Sequence, residues 1–147
     1  MFVITNFFSC SESVNGIRPT GITSSGCKKD LPNRSSENPM EYLTYEVRNN
    51  TLKITLYNYS VPCDLTKMGA EIFTEDNQIV LTPKELDGGA ANCYCFMDFT
   101  FPINDLIAGD TYHCVVKGKY VPPYSFSFTL KDGVEGTTNQ AINHSDI

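Results

Sequence analysis

The stretch "CYCFMDFTF", residues 93–101, alternates with a period of two. Cys93, Cys95, Met97, Phe99 and Phe101 fall on one face, and Tyr94, Phe96, Asp98 and Thr100 on the other, because successive side chains of a β-strand point to opposite sides. The first set is the continuous apolar face. Both sulfurs are therefore expected to lie largely in a core.

Working outward, the same period recurs. "EYLTYEV" sets Leu43, Tyr45 and Val47 together, and "TLKITLYNY" sets Leu52, Ile54 and Leu56 against Lys53, Thr55 and Tyr57. Asn49-Asn50 between them suits a tight hairpin, since Asn tolerates positive φ. Glu75-Asp76-Asn77 turns between two further short strands. In "TYHCVVKGKY", Tyr112, Cys114, Val116 and Tyr120 oppose Thr111, His113, Val115, Lys117 and Lys119. In "YSFSFTLK", Tyr124, Phe126, Phe128 and Leu130 oppose Ser125, Ser127, Thr129 and Lys131. No segment carries a sustained 3.6-residue repeat. About seven short strands separated by turn signals predict an all-β chain, an immunoglobulin- or fibronectin III-like antiparallel β-sandwich.

"LIAGDTYHC", residues 106–114, adds a Leu, a Gly turn and a Tyr entering the next strand, the arrangement of the tyrosine corner in such sandwiches. Tyr112 is expected to bond to backbone near the preceding turn, a structural role. Cys114 stands where immunoglobulin domains carry their second bridging cysteine, but the partner strand "KITLYNY" has none, so the antibody-type bridge is missing. From about residue 43 to 118, the order of Cys63 at a strand end, a hairpin, Cys93, Cys95 and Asp98, then Leu106, Gly109 and Tyr112 resembles a group of small lipoproteins with immunoglobulin-like sandwiches from Gram-negative gut anaerobes. That group often carries further cysteines where this chain has Asp64 and Ala91. The resemblance implies the fold and an envelope address, and no activity.

The bulk composition bounds the rest. The 147 residues suffice for one domain. Net charge is −6, and the 11 Lys and Arg are scattered apart from Lys28-Lys29, so the concentrated basic face that phosphate binding requires is absent and nucleic acid is not an expected partner. Six cysteines favour an oxidising compartment. "MFVITNFFSC" ends in Phe7-Phe8-Ser9-Cys10, the shape of a lipoprotein cleavage site with Cys10 as the lipidated residue. Only nine residues precede that cysteine and no basic group stands among them, so an apolar strand docked on the core is the competing reading. The expected organisation is 1–10 an atypical lipoprotein signal, 11–40 a flexible tether rich in Ser, Asn, Gly and Pro, 41–133 the sandwich, and 134–147 a polar tail. The address is then the outer membrane, reached through a lipid anchor alone, since no stretch approaches the apolar length of a transmembrane helix.

Three chemistries compete for Cys63, Cys93 and Cys95. In sandwich order the strand ending near Cys63 runs antiparallel beside the strand beginning near Cys93. A Cys63 bridge to Cys93 or Cys95 would close a loop of about 30 residues, worth about 3–4 kcal/mol in the chain-entropy model. Zinc sites usually want paired C-x2-C knuckles and a fourth ligand, and redox centres a CxxC at a helix start. The structural disulfide is favoured, with no metal or other cofactor. Cys114 is expected as a buried thiol, or bridged to Cys27.

His113 adjoins Cys114 on a strand, so the two side chains point apart, and His144 lies in the tail. A hydrolase triad is not expected and the chain reads as non-enzymatic. Glu71, Glu75 and Asp76 read as solvated turn residues, without the loop pattern of a calcium site. Tyr57, Tyr59, Tyr94 and Phe96 are expected on one outer sheet face, as an aromatic patch that contacts a protein or a glycan, or is covered by the chain's own segments. The leading expectation is an envelope-tethered interaction or accessory module. A carbohydrate-binding module using that patch is the alternative, and a metal-binding envelope protein a weaker one.

Overall fold

The computed structural model describes residues 16–17, 21–28, 40–90, 92–119 and 122–138. Cys10, His144 and the proposed cleavage site lie outside them. Among the described residues the chain is all-β, as its alternation predicts. The strands are β1 (Gly16–Ile17), β2 (Thr23–Ser24), β3 (Tyr42–Arg48), β4 (Thr51–Pro62), β5 (Met68–Glu75), β6 (Gln78–Glu85), β7 (Tyr94–Ile103), β8 (Thr111–Val116), β9 (Tyr124–Thr129) and β10 (Glu135–Thr138). They form two five-stranded sheets, ordered β1-β5-β6-β8-β9 and β10-β3-β4-β7-β2.

The hairpin turns follow from their residues. Asn49 and Asn50 (φ 52° and 57°) and Asp76 and Asn77 (φ 50° and 61°) all adopt the left-handed region. Two consecutive positive φ values match the right-handed twist of the strands they join, and Asn and Asp tolerate them best. The sheets bury their inner faces against each other. Leu52, Ile54 and Leu56 of β4 pair in register with Ile103, Phe101 and Phe99 of β7, and all six are buried. Opposite them lie Ile79 and Leu81 of β6, Tyr112, Cys114 and Val116 of β8, and Phe126 and Phe128 of β9. Each such side chain contributes about 1.5–3 kcal/mol by leaving water. Tyr45 of β3 stacks on Phe126 across the layers, with ring centroids 4.0 Å apart. Gly136 of β10 sits opposite Tyr45, and a Cβ there would come within 2.5 Å of the phenol oxygen, so the ring's position requires a residue without a side chain.

Four departures from the sequence reading have identifiable causes. Pairing is antiparallel except between β6 and β8, which run parallel from Gln78↔His113 to Leu81↔Val116. An immunoglobulin sheet sets the corresponding strand beside strand C instead. The stretch expected as a tether is ordered over 21–28, and the expected tail supplies β10, because both find open edges of the second sheet to pair with. Cys93 is exposed, not buried, since β7 begins at Tyr94 and residue 93 precedes the alternation. Tyr59 is buried, not outward, because β4 carries a bulge between Leu56 and Tyr59. Asn58 inside it has φ 59°, and the extra residue inverts the facing of everything beyond it.

Candidate functional site

The start of β7 gathers most of the residues the sequence singled out. Cys63, just past the end of β4, bridges Cys93 across 30 residues, and Cys27 bridges Cys95 across 68, each with Cα atoms 5.6 Å apart. The expected bridge from Cys63 is therefore present and ends on Cys93, while Cys27 takes Cys95. Among the described residues Cys114 is the free thiol, on the buried face of β8. All of the sulfurs considered for a metal centre are engaged in bridges, and among the described residues no group of three His, Cys, Asp or Glu is placed to hold a metal ion.

Carboxylates brace the two loops that the Cys63–Cys93 bridge joins. Asp64 accepts from the N–H groups of Gly89 and Ala90 at 2.9 and 3.0 Å. Asp87 accepts from the Thr66 hydroxyl and from the N–H groups of Thr66 and Lys67. These bonds favour the charged form and hold the Asp87 carboxyl below its ordinary value, the Thr66 hydroxyl contributing most. Beside Asp64, Gly88 takes φ +86°, and a Cβ there would lie 3.2 Å from the Leu65 Cα, so the loop closes tightly there.

The outer face of the β10-β3-β4-β7-β2 sheet differs from the expected patch. Tyr57 is half-buried and stacks on Tyr42, a residue the sequence reading passed over, at 4.5 Å and 8°. Phe96 is half-buried, and Tyr94 stands out at 68% exposure. Tyr59 has left this face for the core, where it meets Phe99 edge-on at 6.0 Å. Between Tyr57 and Phe96 lies a polar knot. The Lys28 ammonium donates to Asn58 Oδ1 at 2.7 Å and pairs with Asp98 Oδ1 at 2.6 Å, while the Asn58 N–H donates to the same Asp98 oxygen at 3.0 Å. Next to the Tyr42–Tyr57 stack, the register places Thr137, Thr44, Thr55, Thr100 and Thr23 side by side across all five strands. The hydroxyls of Thr55 and Thr100 are 2.9 Å apart. Sequence could not reveal this row, because it depends on four separate registers.

At the same end of the sandwich, the Tyr124 hydroxyl donates to Glu41 Oε1 at 3.1 Å, and the Lys119 ammonium donates to Glu85 at 2.6 Å and to the Ser60 carbonyl at 3.0 Å. Burial raises the Glu41 carboxyl above its ordinary value, opposed by the bond from Tyr124 and the charge of Lys119. Burial, then the negative charge of Glu41, pushes the Tyr124 phenol up. The arrangement ties the two sheets together.

On the other sheet His113 is exposed, with Ser127 and Ser125 hydroxyls each 3.1 Å from one of its ring nitrogens. Cys114 faces the opposite way into the core, where burial pushes its thiol up to about 12. A thiol–imidazole pair is excluded by that geometry. The Tyr112 hydroxyl accepts the Ile107 N–H at 2.8 Å across the corner.

No family model matches the chain, and no curated protein or solved structure shows significant similarity to it.

Proposed function

We propose that this chain is an exported, envelope-tethered interaction module without an enzymatic role, anchored by lipid at Cys10. The observation that carries the reading is the convergence of the two bridges, Cys27–Cys95 and Cys63–Cys93, at the start of β7 beside the exposed ring of Tyr94. Disulfides persist in oxidising compartments, and here they stiffen the strand end that presents an aromatic side chain to solvent. Membrane fractionation of expressing cells, combined with thiol trapping, tests this. The wild-type chain is expected in the membrane fraction with four cysteines blocked as disulfides, and Cys10→Ala in the soluble fraction. Recovery in the cytosol with free thiols would overturn the reading.

A second reading is favoured by the threonine row. Strands lie about 4.8 Å apart, so five hydroxyls in a line repeat at close to the rise of one pyranose unit along an extended 1,4-linked chain. The Tyr42–Tyr57 stack flanks that line as an apolar surface for sugar rings. On a glycan array, binding of linear polysaccharides is expected to drop at least tenfold in Tyr57→Ala. An array signal equal for the two proteins would remove this reading.

A further inference from the structure

Beyond β7 the second sheet ends in a short arm, Gly21–Lys28, whose attachment is unlike that of any long strand. Thr23 and Ser24 pair with Thr100 and Phe99. Further along, the Ser25 N–H donates to the Asp98 carbonyl at 3.0 Å and the Lys28 N–H to the Phe96 carbonyl at 2.9 Å. The Asp98 N–H returns a bond to Ser25 Oγ at 2.9 Å. Thr23, Ser24 and Ser25 are exposed, and of the arm's aliphatic side chains only Ile22 packs on the core. A ladder this short with one aliphatic anchor is marginal without help. The help comes from the Lys28 ammonium on Asp98 and Asn58 at the arm's end and, covalently, from Cys27–Cys95.

Beneath the arm is a pocket of about 90 Å³, lined by Ile22 and Ser24 on the arm side and by Leu65, Thr66, Met68, Met97 and Phe99 on the other. Removing the arm would leave the backbone edge of β7 unpaired beside a mixed polar and apolar crevice that holds Thr66 together with Met68 and Met97. An open edge is a template for another strand, and Met side chains adapt to what enters. The one sequence known to fit, in register and with a cysteine facing Cys95, is the arm's own.

We infer that Gly21–Lys28 is a detachable edge strand locked by the Cys27–Cys95 bridge, and that the opened edge of β7 receives the same segment from a second copy of this chain. The lock opens by thiol–disulfide exchange with a dithiol reductant. One thiolate of the reductant attacks a bridge sulfur, its second thiolate resolves the mixed disulfide, and two electrons and two protons end on Cys27 and Cys95 while the reductant leaves as its own disulfide. Reoxidation by a small-molecule disulfide reverses this balance. It rejoins Cys27 to Cys95 within a chain or, when two chains have exchanged arms, between them. Arm exchange of this kind is a low-cost route to a dimer because no new contact has to be invented. The inference stands apart from the export and binding readings, since it depends on the bridge and the edge alone.

Two measurements test it on the full chain. In Cys27→Ser/Cys95→Ser, which keeps Cys63–Cys93, the Ser25 and Lys28 amides are expected to lose at least tenfold of their hydrogen-exchange protection. The core-linked amides of Val47 and Leu130, bonded to Val134 and Asp110, should keep theirs. Unchanged protection at Ser25 and Lys28, or an equal fall at all four amides, overturns the arm as a separate unit. In the second measurement, isotopically heavy and light wild-type chains are mixed, reduced with dithiothreitol and reoxidised with glutathione disulfide at high protein concentration. Cross-linked peptides pairing a heavy Cys27 with a light Cys95 are expected. Recovery of same-isotope pairs alone overturns exchange with a second copy.

Discussion

Asn58 decides which way the end of β4 faces, so its replacement has a calculable cost. Its backbone is held at φ 59°, its side chain accepts from Lys28 at 2.7 Å, and its Nδ2 donates to the Met40 carbonyl at 2.9 Å. Both Asn58→Ala and Asn58→Gly remove those side-chain bonds while leaving the backbone N–H on Asp98. At about 0.5–1.5 kcal/mol for each bond, the one to Lys28 part-buried and the one to Met40 exposed, the shared loss is about 1–3 kcal/mol. The variants then diverge. Alanine in the left-handed region costs about 1–2 kcal/mol that glycine avoids. Glycine's larger unfolded-state entropy takes back about 0.4–1 kcal/mol. At the midpoints of these ranges Asn58→Ala should therefore be less stable than Asn58→Gly by about 0.8 kcal/mol, or about 2–3 °C in Tm for a chain of this size. Urea unfolding followed by tyrosine fluorescence reads this directly, because the chain has eight tyrosines and no tryptophan. Equal midpoints for the two variants would refute the reasoning. They would mean that residue 58 is not held at positive φ and that the bulge does not turn Tyr59 inward.

Tyr112→Phe deletes one oxygen and orphans the Ile107 N–H but keeps the ring against Phe128, 5.7 Å away. It should cost about 1 kcal/mol in urea unfolding, and a loss below a few tenths would show that the corner bond contributes little. Cys114 should resist a thiol reagent at pH 8 until urea is added, since burial raises its pKa to about 12, whereas labelling of the native protein at a free-thiol rate would contradict that burial. A raised folded pKa means that this group's contribution to stability is intact below its ordinary value of 9.0 and fades only as pH rises toward 12. Asp87 has the opposite sign. Its lowered pKa contributes stability above about 3.8 that is lost as pH falls, so Asp87→Asn should flatten the acid limb of the stability profile, and an unchanged acid limb would count against the Thr66 clamp.

Strand identity was legible because burial imposes a period of two, and "CYCFMDFTF" shows it from Met97 onward, with Cys95 and Phe96 both half-buried before it. The hairpin turns were legible because Asn-Asn and Asp-Asn carry their conformation locally. What failed were features decided between strands. Tyr59 shares the spacing of an outward residue with Tyr57, and only the positive φ of Asn58 breaks the alternation; an Asn in mid-strand was the available signal. The partner of Cys95 lay 68 residues away in a stretch whose Ser- and Gly-rich composition reads as tether, and no local pattern joins the two. Tyr42 and the threonine row have ordinary strand positions in sequence. Their meaning comes from registers that sequence leaves open.

The parallel pairing of β6 with β8 also constrains the order in which the chain can assemble. β5–β6 and β8–β9 are hairpins of neighbouring segments and can form early, each on its own. They cannot be joined to each other locally, because β7 lies between them in the chain and belongs to the opposite sheet. The strand must cross the molecule, pair with β4 and return before Gln78 meets His113. Loop closure therefore precedes the reward for it, and the seam between the two hairpins should be a late event in a slow, high-contact-order folding reaction. Until that seam closes, two finished hairpins each present an unpaired edge to solvent, and a newly made chain is most open to aggregation during that interval.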